Sequence, residues 1–469
     1  MPHRPMIHRP MTDRRTLLGL AGASVAACWA GGARAQGRPP EIMRDAYARY
    51  VAAIETARAE IRNSVGVRSE ADFPEGESFL HGIVNASVSM AMINTPDAPL
   101  GALIPHPDAR LGFNNPDNNY YAARISDAHS YVLSGRRGSS RTLLFQAIRG
   151  LPGAAENSGE TLSFLSGEDL ALNQDGSYTI TLSAERPASG NWLPLRPGAD
   201  NLLIRFSFLD WAHEQPGSFV IARNGAAPYQ HVEITPARAA AMLQDAAALI
   251  IGQAHLYCHE SAAFARMGAN HIVGPVAATA SQASHSRQWR LFGTFDLAED
   301  EAMIVTVKDA PGAEYNNFMA ANAWFDTFEF VRHQPSLNRS QVRVDEDGYI
   351  RYVISAADPG APNWIDTTGR LHGLIFSRWQ EAPGGLDQSY AADVRVAKRD
   401  EVMALLPPGT PRVTPQQRSA SLAERTRLLR NRFEGADPAL PEIVRRLRAV
   451  EALAGARLPV QTINLSVLD

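Results

Sequence analysis

The sequence predicts a mainly β chain: two tandem antiparallel β-sandwich domains with a helical lead, a linking helix and C-terminal helices. Three observations carry that prediction. Short alternating strand-like runs crowd the chain from about Pro105 onward, a long helical segment divides them into two groups, and each group contains one pattern of Asp-Gly, strand, proline and Asn-Trp.

Residues 1–35 read as a twin-arginine signal peptide. Arg14-Arg15 precedes an apolar run from Leu17 to Trp29, and Ala33-Arg34-Ala35 closes it in the manner of a cleavage site. That run is shorter than the roughly 20 residues of a spanning helix, so no transmembrane segment is expected. These features predict engagement of the twin-arginine export machinery and a periplasmic location. Val25-Ala26-Ala27-Cys28 offers a competing lipobox with Cys28 as lipid anchor, against which the downstream Ala-x-Ala end argues. Cleavage after Ala35 would leave Cys258 as the remaining thiol, so stability is expected from burial and not from disulfides.

In the helical lead, residues 36–100, Met43, Ala46, Tyr50, Ile54 and Ile61 recur at three- and four-residue steps, and Ser78 to Ile93 forms a second apolar helical stretch. The lead is expected to lie against the first domain. The first sandwich, 101–234, is read from SYVLSG, RTLLFQAI, SYTITLSAE, LLIRFSFLDW and SFVIAR. A linking helix occupies 235–270, opened by Thr235 as N-cap with Pro236 at the first helical position. The second sandwich, 271–410, follows from RLFGTFDL, AMIVTVKD, SQVRVDEDGYIRYVIS and GLIFSRWQ. Residues 411–469 return to helix in SLAERTRLLRNRF and EIVRRLRAVEALAG, broken at Pro438 and Pro441.

Composition excludes one class of partner. With 45 Lys+Arg against 49 Asp+Glu the formal charge is -4, which supplies no field for neutralising nucleic-acid phosphates. No nucleophile elbow, phosphate loop or dinucleotide fingerprint is present, so no cofactor is expected.

Asn191-Trp192 follows Asp175-Gly176 at the interval by which Asn363-Trp364 follows Asp347-Gly348. The stretches LALNQDGSYTITLSAERPASGNWLPL and VRVDEDGYIRYVISAADPGAPNWIDT align between those pairs without a gap. Asp-Gly marks a tight turn because glycine accepts positive φ, a strand follows, and Pro187 or Pro359 ends it. The Trp is expected to plug a corner of the sandwich while its indole N–H finds a carbonyl. Beyond the pair each copy reaches an Arg and a Trp, Arg205 and Trp211 or Arg378 and Trp379, but the register slips there.

The second-half stretch SLNRSQVRVDEDGYIRYVISAADPGAPNWIDTTGRLHGLIFSRWQ, with NNPDNNYYAARISDAHSYVLSGRRG and GNWLPLRPGADNLLIRFSFLDW from the first half, resembles the bacterial family carrying the domain of unknown function number 1214. The resemblance spans most of residues 110–380 and is sharpest from Pro362 to Gly369. It implies a jelly-roll-like β fold in tandem with another β domain, and no established reaction.

Four clusters could carry chemistry. In NNPDNNYYAAR, Asp117, Asn118, Tyr121 and Arg124 combine acid, amide, aromatic and guanidinium groups suited to a hydroxylated ligand; the same residues also read as an Asx-rich turn before a strand. Asn191 and Arg205, with their counterparts Asn363, Asp366 and Arg378, either clamp a carboxylate or sulfate-like group or close structural salt bridges. In EYNNFMAANAWF, Glu314, Asn316 and Trp324 line the same cleft if the domains face each other, or form a capped loop. His255 and His259 lie four apart on the linking helix, but the H-E-x-x-H order is absent and no metal site is expected.

Two functions follow. One is a periplasmic hydrolase or lyase acting on a small or oligomeric polar molecule, with acid/base work from Asp117, Tyr121, Glu314, Asp366 or His255. Asn118, Arg124, Asn191, Arg205, Asn316, Trp324, Asn363 and Arg378 would then hold the ligand. The other is a non-catalytic module for carbohydrate-like or aromatic compounds. In both the expected partner is a small-molecule or saccharide-like ligand.

Overall fold

The computed structural model describes residues 40–434 apart from 94, 105–110, 113, 155–157, 227–232, 281–286 and 383. The leader, with Arg14-Arg15, Cys28 and Ala33-Arg34-Ala35, and the tail helix expected at 442–455 lie outside the described residues.

Two sandwiches with one wiring diagram make up the body. The first contains β1 (Ala102–Leu103), β2 (Asn118–Arg124), β3 (Tyr131–Arg136), β4 (Thr142–Arg149), β5 (Glu160–Ser166), β6 (Ser177–Ser183), β7 (Asn191–Pro194), β8 (Asn201–Ser207) and β9 (Ser218–Arg223). The second contains β10 (His271–Ala277), β11 (Gln288–Asp296), β12 (Glu301–Lys308), β13 (Tyr315–Ala321), β14 (Ser336–Asn338), β15 (Tyr349–Ser355), β16 (Trp364–Asp366), β17 (His372–Gln380) and β18 (Asp393–Lys398). The first domain's sheets run β1-β2-β8-β4-β5 and β7-β6-β3-β9. The second repeats them as β10-β11-β17-β13-β14 and β16-β15-β12-β18. Even the exceptional parallel pairs correspond, β6 with β7 and β15 with β16.

The repeated Asn-Trp pattern explains why these parallel strands attach. Asn191 accepts from the Ala171 N–H at 2.8 Å and donates to the carbonyls of Ala171 and Thr179, both at 3.0 Å. Asn363 likewise accepts from Arg343 at 2.7 Å and donates to the carbonyls of Arg343 and Arg351 at 2.8 and 3.2 Å. Each amide thus imitates a strand partner for backbone groups that would otherwise lack one. Trp192 and Trp364 donate their indole N–H to the Ser183 and Ser355 carbonyls at 3.2 Å. The Asp-Gly turns place Gly176 and Gly348 at φ 75° and 79°, where a Cβ would be strained.

Among the described residues five α-helices frame the strands: α1 (Glu41–Arg62), α2 (Phe73–Val88), α3 (Pro236–Ala265), α4 (Val402–Leu405) and α5 (Pro415–Glu434). The expectation that the lead lies against the first domain is corrected. α1 and α2 pack Ala57, Ile61, Phe79 and Ile83 against Ile250 and Ala254 of α3 and against Trp324 of the second domain. The first domain is met by the chain after α2, where Met90 joins Ala122 and Ile148, the Pro96 carbonyl accepts from the Tyr131 hydroxyl at 3.0 Å and Asp97 pairs with Arg223 at 2.6 Å. α3 approaches the first domain closely at Gly252, where a Cβ would fall 1.8 Å from the Gly153 carbonyl oxygen. No described helix is long and apolar enough to cross a membrane.

Each five-stranded sheet is buried on both faces. Leu202, Ile204 and Phe206 of β8 face the first core, and Leu291 of β11 with Ile375 and Trp379 of β17 face the second. The intervening residues, including Arg205, Arg290, Phe292, Phe376 and Arg378, face the space between the domains.

Asn363 is buried whereas Asn191 is half-exposed. Asn363→Ala should therefore cost about 1–3 kcal/mol by leaving backbone groups unpaired, and Asn191→Ala distinctly less because water replaces the amide. Urea unfolding of both variants checks this; equal losses would contradict the role assigned to burial.

Candidate functional site

A cavity of about 490 Å³ lies where the outer faces of the two five-stranded sheets meet α3. Its wall is mostly apolar, with Met90, Leu111, Leu203, Phe264, Phe292 and Phe376 among its residues. Four aromatic rings form one continuous strip. Phe376 meets Phe292 edge-on at 5.2 Å, Phe292 meets Phe264 at 5.7 Å, and Phe264 meets Phe325 at 5.1 Å.

Into this wall the strands introduce three arginines: Arg205 from β8, Arg290 from β11 and Arg378 from β17. Arg290 and Arg378 are directly opposite on antiparallel strands, so their side chains leave the sheet side by side. They share one ring, with guanidinium carbons 6.0 and 4.6 Å from the Phe376 centroid. Neither has a carboxylate within ion-pair distance among the described residues, and the Nε of each lacks a hydrogen-bond partner. Arg205 stacks 5.1 Å above Tyr120, its cross-strand neighbour. Burial, then the charges of Arg378 and Arg205, push Arg290 down to about 9, which leaves it cationic at neutral pH. Burial also pushes Arg205 down, with Tyr120 opposing and Arg378 adding to the shift.

The polar remainder of the wall comes from Asn114, Gln253 and Gln288, all buried, with the side-chain oxygens of Asn114 and Gln253 unpartnered. Glu260 and Tyr257 reach the cavity from α3, and burial pushes the Tyr257 phenol up.

A second polar assembly closes the domain interface around Asp117. Its carboxylate receives the Tyr315 hydroxyl at 2.6 Å, the Trp211 indole N–H at 2.8 Å and the Asn338 amide at 2.8 Å. Tyr315 in turn accepts from Asn115. Burial pushes the Asp117 carboxyl up, while Tyr315, Asn338, Arg432 and Arg425 oppose that shift. All three hydrogen-bonding partners donate, so they fit the ionised form. The two arginines belong to α5: Arg425 donates to the Phe330 and Ser336 carbonyls, and Arg432 to the Pro116 carbonyl. Both guanidiniums lie over Trp211, at 4.7 and 5.1 Å. Tyr315 links this assembly to the cavity, because the charge of Arg378 reaches it.

The sequence-predicted site residues disperse. Tyr121, Arg205 and Arg378 line the cavity. Asp117 is the interface hub. Glu314 pairs with Arg141 across the domain boundary at the surface. Asp366 holds His333 Nδ1 at 2.8 Å and caps the Thr368 N–H at 2.7 Å. No hydrogen bond or ion pair among the described residues joins any two of Asp117, Tyr121, Glu314 and Asp366. Asn118 donates to Tyr120 at 2.8 Å, and Arg124 sits at the far end of β2 opposite Asn201. Asn191 and Asn363 are the strand mimics described above. Asn316 is buried within β13, and Trp324 donates to Ser64 at 2.8 Å while stacking on Phe79. His255 pairs with Glu60 at 2.8 Å. Among the described residues no three His, Cys, Asp or Glu side chains gather to hold a metal. Cys258 is buried, which pushes its thiol up to about 12.

Sequence reasoning missed Arg290, Phe376 and Gln253. The usable signal was an arginine set inside an apolar strand-like run, as in RLFGTFDL and GLIFSRWQ.

Comparisons with known proteins agree with this architecture. Residues 148–207, from β4 through β8, match the family described as "Protein of unknown function (DUF1214)". The fold is similar to the crystal structure of an uncharacterised protein from Burkholderia cenocepacia, at 25% identity and a TM-score of 0.71, over 79% of this chain and 100% of that one. The VPA0106 protein from Vibrio parahaemolyticus is a more distant likeness, at 11% identity and a TM-score of 0.40 over 74% of this chain and 100% of that one. No curated protein matches the chain.

Two outcomes follow from the electrostatics. Asp117→Ala leaves Arg425 and Arg432 without their compensating charge and should destabilise the fold by roughly 3–5 kcal/mol in chemical denaturation. Arg290→Gln should do the opposite without ligand, raising stability by up to about 1 kcal/mol through relief of a like-charge cross-strand pair. A destabilised Arg290→Gln protein would show that the pair is held by interactions within the fold.

Proposed function

We propose that the protein is a binding protein for a small organic anion with an apolar body, held between its two sandwiches. The observation carrying this reading is the Arg290–Arg378 pair, two adjacent like charges, Arg378 buried and Arg290 half-buried, that face a cavity and have no carboxylate partner among the described residues. An anion would supply the missing charge, and guanidinium offers it a bidentate fork. The cavity volume falls within the range of small-molecule sites, and the aromatic strip suits an apolar or aromatic body. A saccharide has less to gain there, since most of the wall cannot hydrogen-bond. The catalytic reading has less support, because Asp117, Glu314 and Asp366 are committed to partners away from the cavity wall.

The twin-arginine leader supports placing this binding in the periplasm. That route carries folded cargo, which accords with a cavity that exists only once both domains have docked.

The test is calorimetric titration of the full-length chain with 2-naphthoate and with its neutral amide. The acid should bind and the amide at least tenfold more weakly. Arg378→Gln should lower the acid's affinity by about 30-fold or more, since losing one side of a buried charge pair costs roughly 2–5 kcal/mol. Equal affinities for acid and amide would sink the reading.

A further inference from the structure

The chemistry of the arginine set reaches further than a generic anion. We propose that the ligand's head is a doubly charged oxyanion, a phosphomonoester on an apolar body, gripped jointly by Arg205, Arg290 and Arg378. This deepens the anion-site reading and rests on it.

Charge balance is the first argument. Arg290 and Arg378 stand side by side with no carboxylate within ion-pair distance among the described residues. A monoanion would offset one of these two charges in a wall of low dielectric, whereas a dianion matches both. Compactness is the second. Arg290 and Arg378 leave neighbouring strands in direct register and share the Phe376 ring, and each of the three arginines feels the charge of at least one other. Three forks around one small volume suit the several acceptor oxygens of a phosphate better than the two of a carboxylate. The third argument is direction. The aromatic strip begins at Phe376, directly beneath the guanidiniums, and continues through Phe292 and Phe264 to Phe325. A ligand with its head on the arginines would therefore lay its apolar part along that strip.

The protein groups facing such a head are these arginines with Tyr120 and Tyr121 from β2 and Tyr257 and Glu260 from α3. A sulfonate of identical body controls for any titration of theirs, because its single charge is constant across the working range. The experiment compares 2-naphthyl phosphate, 2-naphthalenesulfonate and inorganic phosphate by calorimetry on the full-length chain between pH 5 and 7.5.

The phosphate monoester should bind at least about tenfold more tightly than the sulfonate at pH 7.5. That advantage should shrink to about threefold or less at pH 5, tracking the second phosphate ionisation near pH 6. Arg290→Gln should remove most of the preference while leaving sulfonate binding measurable, and Arg290→Lys, which keeps the charge, should retain the pH trend at reduced affinity. Thermal melts of both variants report whether they fold. Equal, pH-independent binding of the two naphthyl anions would overturn the dianion while the anion site stands. Binding of neither overturns both, and inorganic phosphate binding as tightly as the ester would overturn the apolar body.

Discussion

Each five-stranded sheet has two faces to bury, and its own sandwich covers only one. Everything else in the molecule depends on how the remaining two faces are satisfied against each other. They are not matched apolar surfaces, for they carry Arg205, Arg378, Asn338, Thr142 and Gln380 among their residues. Two solutions divide the interface. On one side Asp117 gathers donors from both domains, Trp211 from the first and Tyr315 and Asn338 from the second, with α5 laid across as a strap. On the other side the sheets stay apart, and α3 roofs the gap. Tyr315 joins the two, since one phenol both donates to Asp117 and lies in the field of Arg378.

What could be read from the sequence was what is local. The Asp-Gly turn, its strand and the Asn-Trp pair form a closed hydrogen-bonding unit within a short stretch of chain, so the pattern survives intact in both copies. Strands with one solvated side, such as β6 and β9, announced themselves by alternation. β13 did not. All seven of its residues are buried, and the Asn316-Asn317 pair in its middle reads as a loop, because a strand covered on both faces has no polar side to alternate with. The converse error lies at residues 340–347, where SQVRVDED alternates like a strand yet forms irregular chain. There Arg343 and Arg351 answer Asp345, so the charges serve one another and not a water-facing sheet.

The site was less legible for a related reason. Arg205 and Arg378 attract notice as charges within apolar runs, but their meaning depends on what stands opposite, and that is fixed by pairing between strands remote in sequence. Trp324 was grouped with ligand residues for its amide-rich surroundings. Its actual work is to hold α1 and α2 through Ser64 and Phe79, a contact across more than half the chain. Helix docking of this kind leaves no periodic trace at the receiving residue.

Duplication sharpens the argument about function. Corresponding strand pairs, β2 with β8 and β11 with β17, carry an arginine on the interdomain face, Arg205 on β8 and Arg378 on β17. In the first copy the residue opposite is Tyr120, whose ring receives Arg205. In the second copy it is Arg290, and the pair repels. A strand pair with a single guanidinium therefore exists within the same molecule, and the second domain departs from it by setting two like charges directly opposite. Packing alone gives no reason for that departure, because like charges directly opposite on neighbouring strands are unfavourable. The proposed anion would, since its charge would offset the Arg290–Arg378 pair, which only the second copy carries.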